Sequence, residues 1–233
     1  MKVLHVFKTF FPDSFGGVEQ VVAQLAEATA PLGVRNTLMT VSPDPRPAVI
    51  RHGALEVRRA RRDLHLFSTG ISLSAFGLFR RCAAEADLLH YHFPWPMMDL
   101  LHLRHARGRA AIATYHSDIV RQAAVLPFYR PLMNRFLADM RFIVATSPDY
   151  ARTSPVLQGF GERVRVIPIG IAQDGPAPDA ASLPALPPRF FLFVGALRYY
   201  KGVTFLAEAA RMTGFPVVVA GDGDMRGALE RDR

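Results

Sequence analysis

"KVLHVFKTFFPDSFGGVEQVV", residues 2–22, joins an apolar run to a turn-prone loop that ends in Gly16 and Gly17, and then to a helical pattern. In that pattern Val18, Val21, Val22, Leu25 and Thr29 recur at three- and four-residue steps, and Gly33 supplies a stop. Strand, glycine loop and helix repeat along the chain. Further apolar runs lie at 35–41, 87–93, 110–116, 141–147, 163–170, 189–195 and 216–221. Several lack polar alternation, as parallel strands covered on both faces do. The order predicts an α/β fold built on a doubly wound parallel sheet. Ligands in such sheets bind beyond the carboxyl ends of the strands, so the loops after residues 7, 93, 116, 147, 170, 195 and 221 matter most.

Half of the 233 residues are hydrophobic and 21% are charged, a balance that lets a soluble chain bury a core. No apolar stretch reaches the roughly 20 residues a membrane span needs. Lys8 interrupts the first apolar run, which excludes a signal peptide reading. The lone Cys82 excludes an internal disulfide and fits a reducing cytoplasm, where it reads as a small buried apolar residue. A formal charge of +8 implies acidic partners. The densest basic run, "VRRARRD" (57–63), reads as a solvated face or as a patch for an anionic membrane surface. No basic groove interleaved with aromatics accompanies it, which argues against nucleic acid.

The segment "QDGPAPDAASLPALPP" (173–188) has no periodicity, and its prolines bar a central strand or helix interior. It is expected to link a domain at 1–172 to the beginning of a second at 189–233.

Several loops carry candidate chemistry. Gly16 and Gly17 let a backbone approach a ligand at a helix N-terminus, or simply make a tight turn; the loop has neither a dinucleotide fingerprint nor a P-loop lysine. "ATYHSDI" (113–119) places His116 and Asp118 at a strand end. His90 and His92 alternate on one strand and share a face, but His102 and His105 fall on the next helix, and no carboxylate completes a ligand spacing. No metal site is expected. "FPWPMMDL" (93–100) supplies Trp95, Met97 and Met98 as core, or as an apolar wall beside an acceptor. In "GALRYYKG" (195–202), Arg198 and Lys201 stand three apart around a strand-to-helix turn, placed for a diphosphate or else solvated. In "VVVAGDGDMRGALE" (217–230), Gly221, Gly223 and Gly227 miss the dinucleotide spacing because Arg226 stands at the expected position.

In order, "GGVEQ", "TYHSD", "IPIGI", "GALRYYKG" and "VVVAGDGDMRGAL" resemble the retaining GT-B glycosyltransferases of family 4, also called group 1, over essentially the whole chain. The resemblance implies two Rossmann-like domains facing a cleft, with the sugar nucleotide held mainly by the C-terminal one. It implies that Arg198 and Lys201 contact the diphosphate, that Gly16 and Gly17 lie near the donor phosphate and acceptor, and that His116 contacts the transferred sugar. Asp118, Gly195, Gly202, Gly221 and Gly223 join these as candidate substrate- or nucleotide-binding positions. No cofactor or divalent metal is required in this class. The opening stretch and "YHFPWPMMDLL" look most like bacterial enzymes that add mannose or a related sugar to lipid-linked O-antigen or exopolysaccharide precursors. That implies a cytoplasmic protein in peripheral contact with the inner face of the membrane. The family's later Glu-x7-Glu motif is not among these 233 residues, so they are expected to transfer no sugar alone. Two alternatives stand beside this: a non-catalytic binding module of the same family, and an NAD(P)-binding oxidoreductase, which the missing G-x-G-x-x-G disfavours.

Overall fold

The computed structural model describes residues 1–66, 69–119, 126–170 and 184–231. The chain divides into two compact units, Met1–Ala172 and Gln173–Arg233.

In the first unit, β1 (Lys2–Val6) leads to α1 (Gly17–Thr29), and β2 (Arg35–Ser42) follows. Next come β3 (Val49–His52), β4 (Leu55–Arg61), β5 (Leu64–Leu66), β6 (Thr69–Ile71) and α2 (Ser74–Glu85). The alternation resumes with β7 (Leu88–Phe93), α3 (Pro96–His105), β8 (Ala111–Tyr115), α4 (Leu126–Ala138) and β9 (Phe142–Ala145). Two short helices, α5 (Pro148–Thr153) and α6 (Pro155–Gln158), precede β10 (Val164–Val166). Ser147 and Ser154 accept hydrogen bonds from backbone amides at the starts of these two helices, and each helix has proline at its first position.

The main sheet has the order β10-β9-β8-β7-β1-β2-β4-β3, and β3 alone runs antiparallel to its neighbour. From β1 the chain first builds outward through β2, then returns to β7 on the other side of β1. The strand order therefore reverses between β1 and β7, and a crevice at that switch point is where a doubly wound sheet takes ligands. These central strands are nearly continuous apolar runs buried on both faces. Trp95, Met97 and Met98 lie in the core behind β7, and the Trp95 indole donates to the Gly70 carbonyl at 2.9 Å. Cys82 is buried.

The second unit comprises β11 (Phe191–Val194), α7 (Val203–Thr213), β12 (Val217–Ala220) and α8 (Arg226–Arg231), with β11 and β12 parallel. Of the expected linker, residues 173–183 lie outside the described residues.

Three local expectations change. The run 163–170 forms a strand only over Val164–Val166, because Pro168 has no amide to donate to a ladder. On α1 the buried stripe is Glu19, Val22, Ala23 and Ala26, which shares only Val22 with the set that the periodicity favours and includes a carboxylate. The basic run 57–63 is not simply a solvated face. It begins within β4, where Arg59 is buried against Asp13 at 3.2 Å and Arg58 pairs with Glu56 at 2.8 Å and Glu85 at 2.9 Å. Among the described residues no helix is long and apolar enough to cross a membrane.

Candidate functional site

At the switch point β1 and β7 align His5 directly opposite His90. His92 follows two residues on, facing the same side, and His116 leaves the adjacent strand β8 at its carboxyl end. The four imidazoles stack: His90 on His92 at 4.4 Å between centroids, His5 on His92 at 5.4 Å, and His92 on His116 at 5.3 Å. Their nitrogens form a chain. His116 Nε2 lies 3.1 Å from His92 Nδ1, and His92 Nε2 lies 3.1 Å from His5 Nδ1. His5 Nε2 lies 3.1 Å from Asn36 Oδ1, and His90 Nε2 bonds Thr114 Oγ1 at 2.7 Å.

Burial keeps these rings neutral. It lowers His5 to about 4, against a smaller opposing contribution from the Asn36 bond, and lowers His116 to about 4. His90 and His92 are pushed well down by burial and, secondarily, by the neighbouring rings.

His5, His90 and His92 offer ring nitrogens within 4.8 Å of one another, the one such grouping among the described residues. Both nitrogens of His5 and of His92 are already hydrogen-bonded, so an ion there would have to break the chain.

The glycine loop lies between β1 and α1. Gly16 caps α1, and a Cβ on it would meet the Glu19 carboxylate at 2.4 Å, so a larger residue there would displace that side chain. Glu19 folds back over the helix start and accepts from Thr9 Oγ1 at 2.9 Å. Nearby Lys8 is pulled down by burial, which the Glu19 charge opposes. At Gly17 nothing lies within 4 Å of a Cβ position, which leaves the turn open to a ligand. Arg59 fixes the loop from beneath, its Nη2 reaching Asp13, Ser42 Oγ at 2.7 Å and the Asp44 carbonyl at 2.7 Å. Asp118 is tied into the scaffold: Tyr115 and Ser154 hydroxyls both donate to its Oδ1 at 2.9 Å. A cleft of about 410 Å³ lies around Lys2 and Arg35; Asn36 is on its lining, but none of the candidate residues named from the sequence is.

In the second unit, Gly195 and Gly221 end β11 and β12, and the two turns zip together. Leu197 N donates to the Asp222 carbonyl at 2.9 Å and Met225 N to the Leu197 carbonyl at 3.1 Å. A Cβ on Gly223 would sit 2.6 Å from the Leu197 carbonyl oxygen, so backbone packing alone demands glycine there. Arg198 forms an ion pair with Asp224 across the turns. Lys201 Nζ sits 5.9 Å from the Tyr200 ring centroid, and Gly202, with φ of 70°, starts α7. A cleft of about 580 Å³ in this unit touches Gly221 but neither Arg198 nor Lys201.

Sequence reading named His116 as a candidate and noted that His90 and His92 share a face, setting aside a metal there; it gave no role to His5, Asn36, Glu19 or Arg59. His5 stands in an ordinary apolar strand, and its partnership appears only once β1 and β7 are adjacent.

This architecture, a parallel α/β unit with its polar cluster at the switch point followed by a second strand-turn-helix unit, matches known proteins. Glycosyltransferase Family 4 matches over residues 15–174, and the chain belongs to that family. It is 49% identical to a D-rhamnosyltransferase of Pseudomonas aeruginosa, over 98% of this chain and 61% of that protein. It is 38% identical to the O-antigen chain mannosyltransferase C of Escherichia coli, over 100% of this chain and 64% of that protein. The chain thus spans about three-fifths of the length of these relatives. In fold it resembles a sucrose-phosphate synthase of Thermosynechococcus elongatus, with a TM-score of 0.71 at 22% identity over 99% of this chain and 65% of that one. The GT-B fold class follows.

Proposed function

We propose that the protein acts in glycosyl transfer from a nucleoside-diphosphate sugar to a lipid-linked or polysaccharide acceptor, with retention at the anomeric carbon. The observation that supports it is the near end-to-end likeness of the chain to a rhamnosyl- and a mannosyltransferase. D-rhamnose is 6-deoxymannose, so both names point to a manno-configured hexose as the transferred unit. In this reading Arg198 and Lys201 hold the diphosphate and stabilise the charge that grows on it as the glycosidic bond breaks. His116 contacts the sugar, Gly16 and Gly17 leave room for the donor phosphate and acceptor, and no metal is needed. Contact with an anionic membrane surface would bring a lipid-linked acceptor within reach; Arg58 and Arg59 are held by internal carboxylates, so it falls to exposed cations such as Arg61.

The test is a binding panel of UDP, GDP, ADP and NAD on this chain. A nucleoside diphosphate should bind in preference to NAD. Arg198→Ala and Lys201→Ala should each weaken that binding by about tenfold, the equivalent of about 1.4 kcal/mol. Preference for NAD, or no binding of any diphosphate, would overturn the reading. Unchanged affinity in both variants would return the two cations to a solvated surface.

A further inference from the structure

The hydrogen-bond chain at the switch point has a direction, and Asn36 sets it. Asn36 Nδ2 faces the Ala26 carbonyl at 3.3 Å and Thr29 Oγ1 at 3.0 Å. A backbone carbonyl only accepts, and the Thr29 hydroxyl already donates to the Leu25 carbonyl at 2.6 Å, so the atom facing both must be the amide nitrogen. The Asn36 oxygen is therefore turned toward His5, and an amide oxygen only accepts. His5 Nε2 must carry the proton. A neutral His5 then has a bare Nδ1, which accepts from His92 Nε2–H; His92 has a bare Nδ1, which accepts from His116 Nε2–H. An extra proton on either inner ring would set two donors face to face across a 3.1 Å contact.

We propose that Asn36, His5 and His92 are positioning residues that lock His116 in its Nε2–H tautomer, so that His116 Nδ1 is presented as a hydrogen-bond acceptor. An acceptor at that point selects a hydroxyl of the bound ligand over a phosphate or carboxylate oxygen. That it is a sugar hydroxyl rests on the glycosyl-transfer reading; the tautomer does not. His90 lies beside the chain, with its Nε2 on Thr114, and packs against it without being a link in it.

The test uses the ligand-free chain with 15N-labelled histidine and long-range proton–nitrogen correlation at neutral pH, the peaks assigned by single His→Asn variants. His116 should show a protonated, pyrrole-type Nε2 and an unprotonated, pyridine-type Nδ1. The opposite tautomer, or averaged shifts, would overturn the proposal. Asn36→Leu removes the anchor and His92→Phe the middle link. In whichever of these folds, His116 should relax to averaged shifts, and an unchanged tautomer would overturn the relay as its cause. The wild-type measurement stands if neither variant folds. Because no substrate is present, failure here leaves the nucleotide-binding result untouched, and the reverse holds too.

Discussion

The carbonyl oxygen of Gly195 lies 1.9 Å from the position a Cβ would occupy on Gly221. With φ of 155° at Gly221 and a contact made entirely with the Gly195 backbone, no rotamer change relieves it. Gly221→Ala should therefore part the two turns and cost about 3 kcal/mol or more, read as faster hydrogen exchange of the β11 and β12 amides. Gly17→Ala is the contrast: with open space around it, the substitution should be neutral or stabilise by about 0.5 kcal/mol in thermal unfolding. A loss at Gly17 as large as at Gly221 would contradict this geometry.

Arg59→Met leaves the Asp13 carboxylate without its cation and removes the hydrogen bond that Ser42 Oγ accepts, while Ser42 keeps its own bond to the Asp44 carbonyl. Breaking a buried pair from one side costs about 3–5 kcal/mol, so the urea midpoint should fall steeply. Arg61→Ala, two residues further along the same strand and with its side chain 75% exposed, should stay within about 0.5 kcal/mol of wild type. Equal effects at the two positions would mean that β4 carries a solvated basic face after all.

Acid should destabilise the first unit well above the carboxylate range. His5 and His116 titrate near 4 when folded, whereas an unfolded histidine titrates near 6.5. Between those values the unfolded chain binds more protons, so this stabilisation is complete above about 6.5 and is lost as the pH falls toward 4. Each such group contributes a slope of about 1.4 kcal/mol per pH unit inside that window. Urea unfolding at pH 7 and pH 5 gives the sign, and equal midpoints would show that the rings are solvated.

Asp118 accepts two hydroxyl hydrogen bonds, so Asp118→Ala strands Tyr115 and Ser154 and should cost about 1–3 kcal/mol in thermal unfolding. A variant as stable as wild type, but weaker in ligand binding, would assign the carboxylate to the ligand instead.

The sheet was legible because parallel strands buried on both faces leave apolar runs that need no tertiary knowledge to find, and β7, β8 and β9 lie inside those runs. Strands β3 and β4 were not, since Arg58, Arg59 and Arg61 make β4 look like a surface segment until Asp13, Glu56 and Glu85 are brought alongside. His116 could be placed from its position at a strand end. His5 and Asn36 could not, because a polar residue inside an apolar strand declares its partner only through strand order: His5 needs β7 on one side and Asn36 on β2 at the other. In the second unit the glycines were visible, but a turn that cradles a phosphate and one that cradles a neighbouring carbonyl have the same composition. Gly223, pressed on Leu197, shows the latter.

The protein has a single tryptophan, Trp95, fully buried in the first unit with its indole nitrogen bonded to Gly70. Intrinsic fluorescence excited at the indole band is consequently blind to the second unit. Far-ultraviolet circular dichroism sums both. Recording the two signals on one denaturant series therefore resolves the melting of Met1–Ala172 from that of the remainder without any label, cut or engineered probe.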